Sequence, residues 1–228
     1  MKKYLFAIML AVATMPVNAQ CEVGTWSVIP RLGVSLSNMT NSEFSYDYEN
    51  LESKYKAGMA AGADVEYQAT EKLSVMAGVH YSMQGCRYSD CEQITGATGT
   101  GYKNHCVNLQ YVNVPVLLNC YIVDGLAIKA GIQVGTLVDA REKYDATAIT
   151  QVNKDGSKTY GETTSHESEF NSACNKTALS IPIGLSYEYM NVIIDARYNF
   201  GLSKIYDVDG RTTKNRLTVI TVGYRFKL

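Results

Sequence analysis

Apolar and polar residues alternate with a period of two along most of this sequence. The clearest case is the last segment, where Ile220, Val222, Tyr224, Phe226 and Leu228 are separated by polar or small residues. A period of two places alternate side chains on opposite faces of a β-strand. Seven further segments repeat the pattern. The eight predicted strands are 28–36, 58–67, 73–84, 109–122, 126–138, 179–189, 192–203 and 216–228.

The connections between these strands alternate between long and short. The long ones are 37–57, 85–108 and 139–178, the short ones are 68–72, 123–125 and 190–191, and 204–215 is intermediate. Transmembrane barrels combine short periplasmic turns with long extracellular loops. The sequence therefore predicts an all-β fold, an eight-stranded antiparallel transmembrane β-barrel with short periplasmic turns and long extracellular loops. A soluble β-sandwich gives no reason for this alternation, because its Greek-key connections cross between sheets.

Charged residues within the predicted strands lie on the face opposite the aliphatic rows. They are Asp64, Glu66, Lys129, Glu188, Asp195, Arg197 and Arg225. In a barrel the aliphatic face contacts lipid and the charged face lines the lumen. A soluble β-domain would bury the aliphatic face instead, and only the loop alternation and the last strand favour the barrel. Because eight strands enclose a lumen just wide enough for side chains, we expect these charges to form a network that fills it, with an aqueous pore as the alternative.

The first residues have the pattern of a secretory signal peptide. Lys2 and Lys3 precede a short apolar run, and Val17-Asn18-Ala19 has the pattern of a cleavage motif, so we predict a signal peptide at 1–19 and a barrel domain at 20–228. The apolar run is too short for a membrane-spanning helix. The formal net charge is −1, or −3 without the two lysines. This near-neutral balance gives no reason to expect nucleic acid as a partner.

Two stretches resemble known outer-membrane sequences. The last strand, with Ile220, Val222, Tyr224, Phe226 and Leu228, is similar to the C-terminal signal read by the barrel-assembly machinery of Gram-negative bacteria, although that signal usually ends on an aromatic residue. The segment 111–118, Y-V-N-V-P-V-L-L, resembles the Y-x-x-[IV]-P-x-L-L segment of the outer-membrane β-barrel domain family of Bacteroidetes, whose members are labelled porin-like or PorT-like. This resemblance implies the barrel fold and the outer membrane, and it implies no common catalytic residue.

An even number of cysteines in an exported chain usually indicates disulfides. The six are Cys21, Cys86, Cys91, Cys106, Cys120 and Cys174. The four in or beside the long loops allow three pairings, of which we favour Cys86–Cys106 together with Cys91–Cys174. A Cys21–Cys120 bridge near the periplasmic end is a further expectation. Zinc is the alternative reading, since Cys86 and Cys91 lie near His105, but the spacing fits a zinc site poorly.

Catalytic chemistry has one candidate motif. His80-Tyr81-Ser82 resembles the short H-x-S element of barrel enzymes that deacylate lipid A. The alternation of faces along the strand, however, places His80 and Ser82 on the lumen side, where they would have no access to lipid. We therefore predict no enzyme activity, no metal and no cofactor.

The remaining function lies in the loops. A turn signal at 153–157 predicts a hairpin standing above the membrane, and loops on a rigid scaffold commonly carry binding sites. We predict an outer-membrane protein with a structural or surface-binding role, whose partners are outer-membrane lipid, the assembly machinery and an extracellular ligand. A narrow porin is the alternative, and a lipid-modifying barrel enzyme is the less favoured one.

Overall fold

The computed structural model describes residues 22–40, 43–46, 49–153, 155–206 and 212–228. Regular structure in these ranges is almost entirely β-strand, with one 3₁₀ turn at Asn171–Ala173. The described residues include no helix long and apolar enough to span a membrane. The strands are β1 (Trp26–Thr40), β2 (Glu43–Tyr46), β3 (Glu49–Glu52), β4 (Lys56–Gln68), β5 (Leu73–Arg87), β6 (Cys91–Thr95), β7 (Thr98–Val123), β8 (Leu126–Val152), β9 (Lys158–Glu169), β10 (Thr177–Tyr189), β11 (Val192–Gly201), β12 (Lys214–Tyr224) and β13 (Phe226–Lys227). The predicted signal peptide at 1–19 lies outside the described residues.

Eight of these strands form a closed antiparallel ring, which confirms the predicted barrel. The order around the ring is β1, β4, β5, β7, β8, β10, β11 and β12, and pairing of β12 with β1 closes it. Each predicted segment coincides with one ring strand. The last segment is divided at Arg225 into β12 and β13, and both parts pair with β1.

The short turns all lie at one end of the barrel. Asp124 and Gly125 form a two-residue turn, in which Gly125 has a φ of 78°. Met190 and Asn191 form another, with φ values of 48° and 65°. In the Met190–Asn191 turn, positive φ at both central positions gives the twist that matches a tight antiparallel hairpin. These turns therefore fix the register of their strand pairs and define the periplasmic end.

The two faces of the ring strands are distributed as the alternation predicts. Aliphatic side chains point outward and remain exposed, as with Leu32 (62%) and Ile132 (58%), whereas Asp64 on the inner face is fully buried. The predicted assembly-signal residues also lie on the outer face, namely Ile220, Val222, Tyr224, Phe226 and Leu228. In an outer-membrane barrel this outer band contacts the lipid chains.

The prediction that 85–108 and 139–178 are long loops is only partly right, because much of both is strand. Strands β7 and β8 are 26 and 27 residues long, and they remain paired far beyond the barrel rim, as shown by Gly99 opposite Ile149. Above the rim, β6 replaces β5 beside β7, and β9 replaces β10 beside β8. The predicted hairpin at 153–157 is confirmed, since Val152 pairs with Lys158. We call the resulting four-stranded structure of β6, β9 and the distal parts of β7 and β8 the extracellular sheet.

An apolar cluster occupies the extracellular mouth of the lumen. Its buried members are Met39, Cys86, Tyr88, Val107, Leu109, Tyr111, Leu137, Ala140, Cys174 and Ile205. We call this set the mouth cluster. Leu137 and Ala140 both belong to it because the register shifts near Gln110 and Tyr111, which is the signature of a β-bulge in β8. This conventional hydrophobic core therefore lies inside the barrel, between the lumen charges and the extracellular sheet.

Candidate functional site

The charged side chains of the lumen form two ionic clusters. The first lies in the middle of the barrel and joins Asp64, Asp195, Arg31, Lys129, Arg197 and His80. The second lies nearer the periplasmic turns and joins Glu66, Glu188 and Arg225, with Tyr121 and Ser74 attached by hydrogen bonds. All seven charged residues expected in the lumen belong to one of these clusters.

Asp64 is the centre of the first cluster. Its Oδ2 accepts hydrogen bonds from Nε of Arg31 at 2.5 Å and from Nη2 of Arg197 at 3.2 Å, and its Oδ1 lies 2.6 Å from Nε2 of His80. Asp195 is bound in the same way, by Nε of Arg197 at 2.6 Å and Nζ of Lys129 at 2.8 Å. Each carboxylate therefore contacts more than one cation, as burial of charge requires.

The second cluster is built around Arg225. Its Nε donates to both carboxylate oxygens of Glu188 at 3.0 Å, and its Nη2 donates to Oε2 of Glu66 at 3.1 Å. The hydroxyls of Tyr121 and Ser74 donate to the other oxygen of Glu66, at 2.8 and 2.5 Å. A single guanidinium thus bridges two carboxylates, and neutral donors satisfy the second oxygen of Glu66.

The two clusters together are electrically balanced. They contain four lysine or arginine side chains and four carboxylates, all at most 7% exposed. His80 adds no charge when it is neutral. The network therefore fills the lumen with matched ions, and the interior width of an eight-stranded barrel leaves little room beside them.

Glycines on neighbouring strands make room for these large side chains. Gly78 is paired with Asp64, and a Cβ atom at position 78 would overlap Oδ1 of that carboxylate. Gly184 lies between Lys129 and Arg197 in the register of three strands, and it has the same role. The positions opposite these charges therefore require glycine because of close approach.

A layer of amides and hydroxyls lies between the ionic clusters and the mouth cluster. It includes Gln84, Asn113, Gln133 and Asn199, which surround a polar cavity of about 30 Å³. That volume holds one or two water molecules. Tyr111 and Ile205 of the mouth cluster also line this cavity, so it reaches the apolar layer above it.

His80 and Ser82 lie on the lumen face, as parity predicts, but they are not arranged as base and nucleophile. Ser82 accepts hydrogen bonds from the amides of Gln84 and Asn113, at 2.7 and 2.9 Å. His80 is bound to Asp64 instead. Among the described residues no hydrogen bond joins His80 to Ser82, and no group of three or more His, Cys, Asp or Glu side chains could hold a metal ion.

The extracellular sheet carries a row of aromatic rings on one face. Tyr144 is opposite His166 in register, and their rings stack at 5.1 Å between centroids. Tyr102 lies 5.9 Å from Tyr144 on the same face. His105 lies beneath Tyr144 at 5.6 Å, is buried, and is hydrogen-bonded to Glu142 at 2.7 Å. The row is thus anchored at its base and is progressively more exposed toward His166.

A polar contact ties the two edges of this sheet together. Glu92 of β6 is bound by the ammonium of Lys158 and, at 2.9 Å, by the hydroxyl of Tyr160, both on β9. These hydrogen bonds, first from Lys158 and then from Tyr160, lower the pKa of the Glu92 carboxyl and raise that of Lys158. The edge strands β6 and β9 therefore hold each other in place through side chains.

This tie predicts a loss of order in β9 at acidic pH. Because the folded-state pKa of Glu92 lies below its usual value near 4.5, the tie contributes above that value and is lost as the pH falls through the folded-state pKa. We expect hydrogen-exchange protection of 158–169 to fall in acid for the wild type. Glu92→Gln should show the reduced protection already at neutral pH, without a further acid transition. Glu162→Gln, an exposed change on β9, serves as the control and should behave as wild type.

The pairings expected among Cys86, Cys91, Cys106 and Cys174 are not formed. Cys86 is paired with Val107 on the inner face, whereas Cys106 is paired with Arg87 on the opposite face of the same two strands, so their sulfur atoms point apart. Cys91 lies on β6, and Cys174 is buried in the mouth cluster. No disulfide joins the cysteines in the described part of the chain, and Cys21 lies outside that part. Burial raises the pKa of the Cys174 thiol to about 11, which keeps it protonated.

Comparison with known proteins agrees with this geometry. Residues 18–207 match the model of the family described as outer membrane protein beta-barrel domain. The chain belongs to this family. Its localisation is accordingly the outer membrane, as the sequence predicts. A search of curated proteins gives no significant match.

Solved structures similar to this family member are also outer-membrane barrels. Ail, the attachment invasion locus protein of Yersinia pestis, is 16% identical, with a TM-score of 0.46 over 90% of this chain and 100% of Ail. Neisserial surface protein A is 14% identical, with a TM-score of 0.41 over 89% and 97%. The protease OmpT of Escherichia coli is 9% identical, with a TM-score of 0.42 over 94% and 99%.

Several residues of this outer-membrane barrel domain escape a reading of the sequence. Arg31 and Tyr121 occupy inward-facing positions of their strands, but only the strand register shows that they join the lumen clusters. The aromatic row escapes as well, because its members come from segments read as loops. The alternation of Thr98, Thr100 and Tyr102 with glycine is a signal that could have revealed a strand in 98–108.

Proposed function

We propose that this protein is a surface-exposed binding protein of the outer membrane, and that its extracellular sheet contacts an extracellular ligand. The observation that carries the proposal is the aromatic face of Tyr102 and Tyr144, both half-buried, and His166, which is exposed, on a sheet that continues the barrel wall. Tyrosine-rich surfaces supply rigid, amphipathic contact area at a low cost in conformational entropy. The tie between Glu92 and β9 adds pre-organisation, which favours binding.

The lumen supports this role over that of a narrow porin. Its charges are paired with one another and buried, and the mouth cluster lies between them and the extracellular side. Ions crossing such a barrel would have to displace matched ion pairs as well as apolar side chains. We therefore expect the purified protein to form no discrete channels in planar bilayers.

The same geometry supports the absence of lipid-modifying activity. Ser82 is held by amide donors in the lumen, and His80 is committed to Asp64. Neither side chain reaches the outer face, where a lipid substrate would lie.

The resemblance of 111–118 further supports a place in the PorT-like branch of Bacteroidetes barrels, and the exposed row ending in Leu228 supports recognition by the assembly machinery.

Binding to a panel of glycans and matrix proteins, measured by surface plasmon resonance on the refolded full chain, tests the proposal. We expect at least one partner, and we expect Tyr102→Ser combined with Tyr144→Ser to weaken its binding by about 30-fold or more, as for central contact residues. A pair of substitutions on the other face of the same strands, Thr147→Ser with Thr163→Ser, should leave the affinity unchanged.

Two results would contradict the binding role. One is a wild type that binds nothing in the panel but conducts ions in planar bilayers. The other is equal loss of binding from both pairs of substitutions, which would mean that the aromatic face is not the contact surface. Mobility shifts of unboiled and boiled samples on gels show whether each variant has folded as a barrel.

A further inference from the structure

A groove of about 600 Å³ lies on the outside of the barrel at the extracellular end of β11 and β12. Its lower part is formed by Phe200 and Leu202, which are 48% and 43% exposed and belong to the outer apolar band. Its upper part carries Lys204, Lys214 and Arg216, all exposed. The groove therefore spans the level at which the apolar band gives way to polar surface.

The register fixes this placement. Arg216 is directly opposite Phe200 on the neighbouring strand. Ile220 of the lipid-facing row lies two same-face positions further along β12, after Thr218. Lys214 is paired with Thr40 at the end of β1. The three cations therefore lie immediately above side chains that contact lipid, at the depth of the outer-leaflet headgroups.

The cations of this groove differ from those of the lumen. Every lysine or arginine in the lumen clusters is paired with a carboxylate. Lys204, Lys214 and Arg216 form no ion pair with any carboxylate in the described ranges, and the described residues that line the groove include no aspartate or glutamate. A groove whose three cations have no carboxylate partner among the described residues, above an apolar floor, is complementary to a molecule with anionic groups above hydrocarbon.

We propose that this groove binds a phosphorylated glycolipid of the outer leaflet. Its acyl chains would pack on Phe200 and Leu202, and its phosphate would accept hydrogen bonds from Arg216 and Lys214, with Lys204 adding charge. Arginine and lysine are the side chains best suited to phosphate, through a planar fork and a point charge respectively. The site is separate from the extracellular sheet, so it does not depend on the ligand-binding role proposed above.

Native mass spectrometry of the full chain tests this proposal. The protein is refolded into phosphatidylcholine nanodiscs containing bisphosphorylated lipid A, and the lipid retained after transfer to detergent is counted. Each basic residue near a charged headgroup contributes about 1 kcal/mol, so removing two of them should weaken retention by roughly 30-fold in Lys214→Gln with Arg216→Gln. The matched control, Lys72→Gln with Lys227→Gln, removes two exposed charges at the periplasmic end and should retain lipid A as wild type does.

Two further arms identify the source of the phosphate. The wild type should retain lipid A without phosphate about as weakly as Lys214→Gln with Arg216→Gln retains bisphosphorylated lipid A. Excess inorganic phosphate should not displace the bound lipid. Equal retention by both double variants, or of both forms of lipid A, would overturn the proposal. Displacement by inorganic phosphate would also overturn it, since the groove would then be an anion site without a role for the acyl chains. Heat-modifiable mobility of each variant shows that the barrel has folded.

Discussion

Replacing Asp64 with asparagine is expected to lower the free energy of unfolding by about 3–5 kcal/mol. The change preserves the shape of the side chain but removes the negative charge that Arg31 and Arg197 share. Both guanidinium groups would stay buried with fewer anionic partners, because their strands fix them in the lumen. The cost comes from this uncompensated charge, and it exceeds the net worth of the intact pair.

Urea unfolding of the refolded protein in lipid vesicles measures this loss, with Trp26, the single tryptophan of the chain, as a fluorescent probe at the lipid-facing surface. Asp124→Asn is the matched control. It makes the same chemical change in an exposed turn, where Asn-Gly is as suitable as Asp-Gly. Adding Arg31→Met to the Asp64 variant should recover part of the stability, since it removes one of the unpaired cations. A loss below about 1 kcal/mol for Asp64→Asn would mean that water reaches the cluster freely.

Ile132→Arg should destabilise the barrel by about 2–4 kcal/mol, because it places a charge at mid-height on the lipid face. Ile132 is 58% exposed at the middle of the apolar row of β8. In water such an exposed position would tolerate arginine, so the result depends on the membrane alone.

Val138→Arg is the control on the same row. Val138 is equally exposed, at 57%, but it lies where the row ends near the extracellular rim, and there the expected loss is about 0–1 kcal/mol. The comparison uses urea unfolding in vesicles for both variants. Equal losses, or full tolerance at both positions, would show that the aliphatic face does not contact lipid hydrocarbon.

The barrel itself could be predicted from the sequence because its two determinants are local. Strict alternation identifies each strand, and short turns such as Asp124-Gly125 identify which strands are neighbours. The alternation of faces along each strand then assigns residues such as Asp64 to the lumen without any knowledge of the structure. These inferences fail where both faces of a strand are in water. The distal parts of β7 and β8 are polar on both sides, so they have no apolar alternation, although they pair as regularly as the barrel strands.

The pairing of the lumen charges could not be predicted, because it depends on which strands face each other across the ring. Arg197 on β11 reaches Asp64 on β4, two strands that are separated by β12 and β1. The error over Cys86 and Cys106 has a related cause. Their strands are neighbours, as expected, but the register places the two residues on opposite faces. The strand register decides which side chains meet across the ring, and it also decides whether two residues of a strand pair share a face. Sequence spacing determines this register only near short turns.

The contact between Arg197 and Asp64 has a consequence for assembly. An open sheet of the same eight strands could form every neighbouring strand pair except the closing one, yet it would leave these two side chains on separate regions of its surface. Shifting the closing strands by one residue would turn the charged row toward lipid. Three ion pairs, Arg197–Asp64, Arg31–Asp195 and Arg225–Glu66, therefore form only when β12 and β1 meet in the correct register, so the ionic network favours the correctly closed barrel.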